Sequence, residues 1–181
     1  MRMVRTAVTV GAAAERAFHV FTQRCDEWWP RSYRLGKTER VGVVLEPHTG
    51  GRWYERTADG EECDWGQVLA WDPPEHLTLS WQIGIGFVPE SDPQRASRVD
   101  ITFVETGPAR TTVTVVHSEF ERHGEGWESM REGVSNTVGG RVFFRPTRSS
   151  SPSHPAPSTG NGADGRSEGP APVCQQVPIT F

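Results

Sequence analysis

The apolar and polar positions change their spacing along the chain and predict elements of both kinds. Alternation over Arg5–Val10 predicts a β-strand, which Gly11 ends. Over Ala12–Phe21 the spacing becomes helical, because four apolar residues recur three and four positions apart and form one face. A second short helix is predicted from Cys25 to Trp29, where Pro30 stops it. The residues of the helical face are Ala14, Ala17, Phe18 and Phe21.

Strand and turn signals fill the chain from Lys37 to Phe120. We expect five or six antiparallel strands here, rich in β-branched and aromatic residues and separated by glycine and proline turns. A short helix is predicted over Gly126–Val134. The resulting order is one strand, two helices, the run of strands and a last helix. This order favours an α+β fold in which a curved antiparallel sheet carries helices on one side.

The character of the sequence changes near Gly139-Gly140. All seven tryptophans precede this point, whereas Thr147–Pro172 is mostly Ser, Pro, Gly and Ala. A segment of this composition buries too little apolar surface to offset its chain entropy. We therefore predict one domain over residues 1–140 and a disordered tail over residues 141–181.

Composition excludes several functional classes. The formal net charge of −4 and the lack of a basic stripe argue against a nucleic-acid partner. No apolar run of about 18 residues is present, so we expect no membrane span. The three cysteines show no CxxC spacing, which favours a reduced compartment and a cytoplasmic location.

A series of short motifs resembles the SRPBCC (START-like) superfamily, and most closely its bacterial branch similar to the C-terminal domain of the Hsp90 ATPase activator. The resemblance runs from about Val4 to Gly140. It implies a helix-grip fold, in which a curved antiparallel sheet wraps around a long C-terminal helix and encloses an apolar cavity. The motifs are Glu46-Pro47, Gly50–Arg56, Glu62–Gly66, Val68–Trp71, Pro73-Pro74, Leu79–Trp81 and Phe120–Trp127.

The sequence departs from this family pattern at its end. Relatives continue from a glycine pair into a tryptophan and the long closing helix, whereas here Gly140 is followed by Arg141 and soon by Pro146. We expect the long helix to be missing or altered, and we favour a frameshifted C-terminus. A native, divergent, disordered tail is the alternative.

Aromatic residues spread over the domain are the candidate lining of a cavity for an apolar ligand. Aromatic side chains bury a large area and shape a cavity with few rotamers. Packing in an ordinary core is the alternative for each residue taken singly, and a structural role is the alternative for the histidine. The candidates are Trp29, Trp53, Trp65, Trp81, Phe87, His117 and Trp127.

Glu55 and Asp64 are the candidate catalytic residues. A carboxylate among indole rings has a raised pKa because burial disfavours its charge, and it then serves as an acid or a base. A solvated position at the rim, or ion pairs with Arg52 and Arg56, is the alternative. The scattered histidines form no metal-binding pattern, and we expect neither a metal nor a cofactor.

The favoured function is a cytoplasmic protein that binds an apolar or aromatic small molecule. The resemblance implies two alternatives: a co-chaperone-like protein that stimulates an Hsp90-type ATPase, and a cyclase- or hydrolase-like enzyme that uses a cavity carboxylate. The expected partners are an apolar small molecule and, for the first alternative, a chaperone or another protein chain.

Overall fold

The computed structural model describes residues 2–139, with side chains as far as Asn136. Two helices follow the first strand, and the remaining strands run in sequence to a C-terminal helix. The elements are β1 (Val4–Val10), α1 (Ala14–Gln23), α2 (Cys25–Trp28), β2 (Arg40–Leu45), β3 (Arg52–Thr57), β4 (Glu62–Asp72), β5 (His76–Trp81), β6 (Ser97–Gly107), β7 (Arg110–Ser118) and α3 (Trp127–Gly139). Short 3₁₀ turns occur at Pro93–Arg95 and Phe120–His123.

Within the described residues, seven strands form one antiparallel sheet in the order β1-β7-β6-β5-β4-β3-β2. The strands from β2 to β7 each pair with the next along the chain. Strand β1 joins the far edge beside β7. The sheet curls around one apolar face, as the helix-grip fold requires, and the predicted α+β class and strand order are confirmed.

Helix α1 packs its predicted apolar face against the sheet. The Phe18 ring lies 5.1 Å from the rings of both Phe103 and Trp71, and Phe21 lies 5.6 Å from Phe103. The first turn is fixed from the sheet, because the Ala14 N–H donates to the Glu105 carboxylate at 3.0 Å. Burial of these aromatic rings makes α1 the main cover of this part of the sheet.

The described part of α3 covers the other end. Met130 and Val134 are buried, and the helix contacts β1 and the 3₁₀ turn before it. It spans 13 residues and reaches the last described residue, Gly139. The predicted tail over residues 141–181 lies outside the described residues. None of the helices in the described part of the chain is long and apolar enough to cross a membrane.

Strand β4 carries a bulge next to Gly66, which lies against the backbone of β5. Pairing with β3 shifts by one residue at Trp53/Tyr54, opposite Gly66. A Cβ atom on Gly66 would lie 2.0 Å from the backbone oxygen of Ser80, so only glycine fits. The Ser80 hydroxyl accepts a hydrogen bond from the Gln67 N–H at 2.8 Å and secures this bulge.

Gly66→Ala should therefore destabilise the domain by at least about 2 kcal/mol, because a backbone atom must move to admit the methyl group. Gly42→Ala is the matched control, since no atom lies within 4 Å of the corresponding Cβ position on β2. We expect the control to change stability by about 0.5 kcal/mol or less. Urea denaturation measures the stability of both variants. Equal stabilities would contradict the close approach of Gly66 to the backbone of Ser80.

Candidate functional site: a tryptophan-lined cavity

A small internal cavity lies between the α1–α2 pair and the concave face of the sheet. Its volume is about 30 Å³, which holds roughly two water molecules. Ligand pockets typically measure about 300–1,000 Å³, so a ring-sized ligand would need the walls to move apart. The lining residues are Phe21, Cys25, Trp28, Trp29, Leu45, Trp53, Leu79, Trp81, Val99, Ile101, Val115 and His117.

Trp29 is at the centre of the aromatic wall. Its ring lies 5.0 Å from Trp65, 5.9 Å from Trp53 and 6.4 Å from Trp81. Trp53 and Trp81 are 5.6 Å apart and complete the group. These edge-to-face and tilted contacts are the favoured geometries of aromatic pairs.

Arg40 fixes the backbone that carries Trp29. Its buried guanidinium donates to the carbonyl oxygens of Trp29 at 2.9 Å, Tyr33 at 3.1 Å and Pro30 at 3.2 Å. The Asp26 carboxylate lies 3.7 Å away and balances the charge. One side chain on β2 thereby sets the position of the segment between α2 and β2.

Glu55 attaches the same segment to the sheet from β3. One of its carboxylate oxygens accepts hydrogen bonds from the backbone N–H groups of Leu35 and Gly36, and the other accepts from the Trp65 indole at 3.2 Å. Burial raises the pKa of Glu55, although these donors and the charge of Arg40 oppose the rise. The structure places this candidate catalytic residue behind the tryptophans, outside the cavity lining.

Asp64 lies on the opposite, exposed face of the sheet. Its carboxylate accepts from Arg52 at 2.8 Å and 3.0 Å, and Arg52 also bonds Glu62 at 2.9 Å. The guanidinium of Arg52 in turn stacks 4.1 Å from the ring centre of Tyr54. The second candidate catalytic residue thus belongs to a surface ion-pair network.

Two indole N–H groups of the cavity wall are buried without a hydrogen-bond acceptor among the described residues. They belong to Trp53 and Trp81. A buried donor that finds no acceptor costs about 1–3 kcal/mol. Both residues line the cavity, and their donors have no acceptor among the described residues.

His117 brings a third polar group to the cavity and belongs to a buried cluster. The Ser97 hydroxyl lies 2.7 Å from His117 Nε2 and 2.9 Å from His123 Nε2. All three side chains are almost fully buried. Ser97 and His123 were missed by sequence reasoning, although the alternation of Ser97, Val99 and Ile101 on β6 indicates that Ser97 points inward.

Both histidines are neutral at physiological pH. Burial lowers the pKa of His117 to about 3, and the neighbouring His123 contributes to this shift. Burial also lowers the pKa of His123, with Glu90 opposing and Arg95 adding to the effect. The cluster therefore offers polar groups without introducing a net charge into the cavity.

The remaining sequence candidates lie around the cavity rather than in its lining. Trp65 is buried directly behind Trp29 and Trp53. Phe87 and Trp127 are partly buried and pack against the core. The structure thus brings Trp29, Trp53, Trp81 and His117 together at one surface and leaves the other three outside it.

A larger depression of about 580 Å³ lies on the outside, between the start of α1 and the turn after β4. It is an open groove, and its lining includes Glu15, Glu75 and Glu105. No group of three or more potential metal ligands occurs within residues 2–139. The internal cavity is lined mainly by apolar and aromatic side chains, and it is therefore the better candidate site for the expected apolar ligand.

The curled sheet, its helical cover and the enclosed cavity define a ligand-binding fold of the SRPBCC type. The chain belongs to the family of activator of Hsp90 ATPase homolog 1-like proteins, whose model matches residues 11–140. No curated protein matches the chain.

Among solved structures, the chain is similar to the anthrahydroquino-γ-pyrone synthase Txn09, with 39% identity over 78% of this chain and 92% of that one and a TM-score of 0.57. Protein NE0264 from Nitrosomonas europaea matches with 12% identity over 77% and 88% of the two chains and a TM-score of 0.55. An Hsp90 activator from Plasmodium falciparum matches with 15% identity over 79% and 91% and a TM-score of 0.52. The last two similarities show the fold alone.

Glu55→Ala should destabilise the domain by about 3 kcal/mol or more, because three buried donors lose their acceptor and Arg40 loses a nearby negative charge. Asp64→Ala should cost less than about 1 kcal/mol, since its ion pairs are exposed. Chemical denaturation compares the two variants. Similar losses would contradict the structural role of Glu55.

The buried histidines should make the domain less stable in acid. The pKa of His117 is lower in the folded state than in the unfolded state. The stability that the neutral ring contributes to the fold is therefore complete above about pH 6.5 and falls as the pH drops toward 3. Glu55 acts in the opposite direction because its pKa is raised.

Between pH 7 and pH 5 the free energy of unfolding should therefore fall by about 2 kcal/mol less in His117→Asn than in the wild type. Denaturation at both pH values measures the difference, and His19→Asn on the exposed face of α1 is the control. Parallel pH profiles for the wild type and His117→Asn would contradict the burial of an uncharged ring.

Proposed function

We propose that this chain is a cytoplasmic binding protein for a planar aromatic molecule that carries hydrogen-bond acceptors. The observation that supports it best is the pair of buried indole N–H groups of Trp53 and Trp81 at the cavity. A ligand oxygen that accepts from either group recovers the cost of its burial. The surrounding rings of Trp29 and Phe21 supply faces and edges against which an aromatic ligand packs.

Ligand binding must enlarge the cavity. Its present volume of about 30 Å³ is far below that of any fused-ring molecule. The cavity side of the cover is formed partly by α2, which has only four residues and ends at Trp28. A displacement of this short segment opens the aromatic wall without separating the strands of the sheet.

The similarity to Txn09 supports the ligand class. At 39% identity over most of both chains, the two proteins share more than a fold. The name of that protein describes a synthase of an anthrahydroquino-γ-pyrone, which is a fused aromatic system with oxygen substituents. A ligand of the same chemical class carries oxygen acceptors for the indole N–H donors of Trp53 and Trp81.

The same similarity favours an enzyme of the cyclase type as the second candidate. Glu55 and Asp64 were the carboxylates considered for this role, and neither lines the cavity. The titratable groups of the cavity lining are Cys25 and His117, and we assign such a reaction to His117. Turnover of a bound ligand by the wild type, lost in His117→Asn, would distinguish the enzyme from the binding protein.

Assembly with an Hsp90-type ATPase is supported by the family description and by the fold of the Plasmodium falciparum activator. A rise in the ATPase rate of a purified bacterial Hsp90 on addition of this protein is the test of that alternative. Ligand binding remains the favoured proposal, because the cavity supports it and has no bearing on a surface that a chaperone would contact.

Two probes of similar size test the binding proposal: chromone, which carries a carbonyl oxygen, and naphthalene, which has no acceptor. Both should raise the melting temperature and quench tryptophan fluorescence, and chromone should bind about tenfold more tightly because it satisfies a buried donor.

Val99→Phe should abolish binding of both probes because it fills the cavity, at a stability cost of about 1–3 kcal/mol. Val104→Phe is the matched control on the same strand, where the side chain is 56% exposed. Failure of the wild type to bind either probe, or unchanged binding in Val99→Phe, would refute the proposal.

A further inference from the structure

We propose that Ser97 and His123 fix His117 in a single neutral tautomer whose Nδ1–H donates a hydrogen bond to a carbonyl oxygen of the bound ligand. The inference rests on the proposed function and deepens it by assigning the residue that recognises the ligand's polar edge. His117 is the contact residue, and Ser97 and His123 are positioning residues.

The cluster is built by the register of β6 and β7. Val99 pairs with His117, and Ser97 lies two residues before Val99 on the same face of β6. A diagonal neighbour at this spacing is within reach of a long side chain, which explains the contact between Ser97 Oγ and His117 Nε2. His117 therefore faces the cavity with one ring nitrogen already engaged.

His123 reaches the same hydroxyl because the chain turns back after β7. Glu119 adopts a left-handed conformation with a φ of 61°, and the 3₁₀ turn Phe120–His123 follows directly. Arg95 donates to the His123 carbonyl at 2.7 Å and secures the turn. The Phe120 ring stacks 4.2 Å from His117 and limits the rotation of the imidazole.

The proton inventory of the three side chains limits where the protons lie. The Ser97 hydroxyl lies 2.7 Å from His117 Nε2 and 2.9 Å from His123 Nε2. A serine hydroxyl has one proton, so it donates to one of these ring nitrogens and accepts from the other.

The second ring nitrogen of His123 decides which of the two rings donates to Ser97. His123 Nδ1 is buried with no partner among the described residues. Buried N–H groups without an acceptor are rarer than unsatisfied acceptors, so this nitrogen carries the lone pair and its proton resides on Nε2. The opposite arrangement would leave an orphaned N–H there. His123 Nε2–H therefore donates to the Ser97 hydroxyl, and that hydroxyl donates to His117 Nε2.

Fixing the protons in this way leaves His117 with a proton on Nδ1, the ring nitrogen that the contact with Ser97 does not use. Burial holds the pKa of His117 near 3, so the ring donates as a neutral group. A neutral donor binds a carbonyl oxygen without the desolvation cost of an ion. It also discriminates against hydrocarbons, which leave the donor unsatisfied.

Nuclear magnetic resonance of ¹⁵N-histidine-labelled protein tests the tautomer without any ligand. Two-bond proton–nitrogen correlations should show His117 protonated at Nδ1 and His123 protonated at Nε2. Ser97→Ala should convert His117 to a mixture of tautomers, whereas Ser118→Ala, at the end of β7, should not. A His117 ring protonated at Nε2 in the wild type overturns the inference, even if Ser97→Ala fails to fold.

Titration with chromone and naphthalene tests the ligand contact. Chromone should shift the His117 Nδ1 resonance strongly and naphthalene only weakly. His117→Phe should weaken chromone binding about five- to tenfold and leave naphthalene binding within about twofold. If His117→Phe does not fold, the titration of the wild type alone decides whether His117 contacts the ligand.

The outcomes separate the two proposals. Unchanged chromone affinity in His117→Phe, or equal responses of Nδ1 to both probes, overturns the inference and leaves the binding function intact. Binding of neither probe to the wild type refutes the proposed function and the ligand contact with it.

Discussion

A buried carboxylate holds the site together. Glu55 is inaccessible to solvent, yet it accepts two backbone hydrogen bonds from the segment before β2 and one from the Trp65 indole. Burying a charge is costly unless it is paired and hydrogen-bonded, so each of these donors and the nearby Arg40 is needed. The tryptophan wall is placed by this polar layer behind it, and the apolar contacts alone would leave the loop unattached.

Local patterns in the sequence predicted the fold well. The helical face of α1, the strand alternation and the order of elements were recovered, because these depend on neighbours three or four positions apart or on every second residue. The polar layer was not predicted. Arg40 meets the carbonyls of residues 29–33, and Ser97 meets two histidines on later elements, and such pairings depend on tertiary packing.

The site was predicted only in part, again because tertiary packing sets many of its contacts. Trp29, Trp53, Trp81 and His117 were selected by residue type and do line the cavity. Glu55 was selected as a candidate acid or base, and the sequence contained no sign of the three donors that hold it in place. Phe87 and Trp127 match the aromatic criterion equally well, but Phe87 lies in a loop and Trp127 is the first residue of α3, so strand alternation does not set their positions.

The arrangement around Arg40 has a consequence for how this protein can diversify. Its guanidinium bonds three carbonyl oxygens of the segment that carries Trp29, and it touches the cavity only through that backbone. Substitutions in residues 30–39 would move an indole ring while every lining residue stayed the same. Ligand preference can thus drift in evolution through positions that never contact the ligand, and alignments restricted to the cavity would not reveal it.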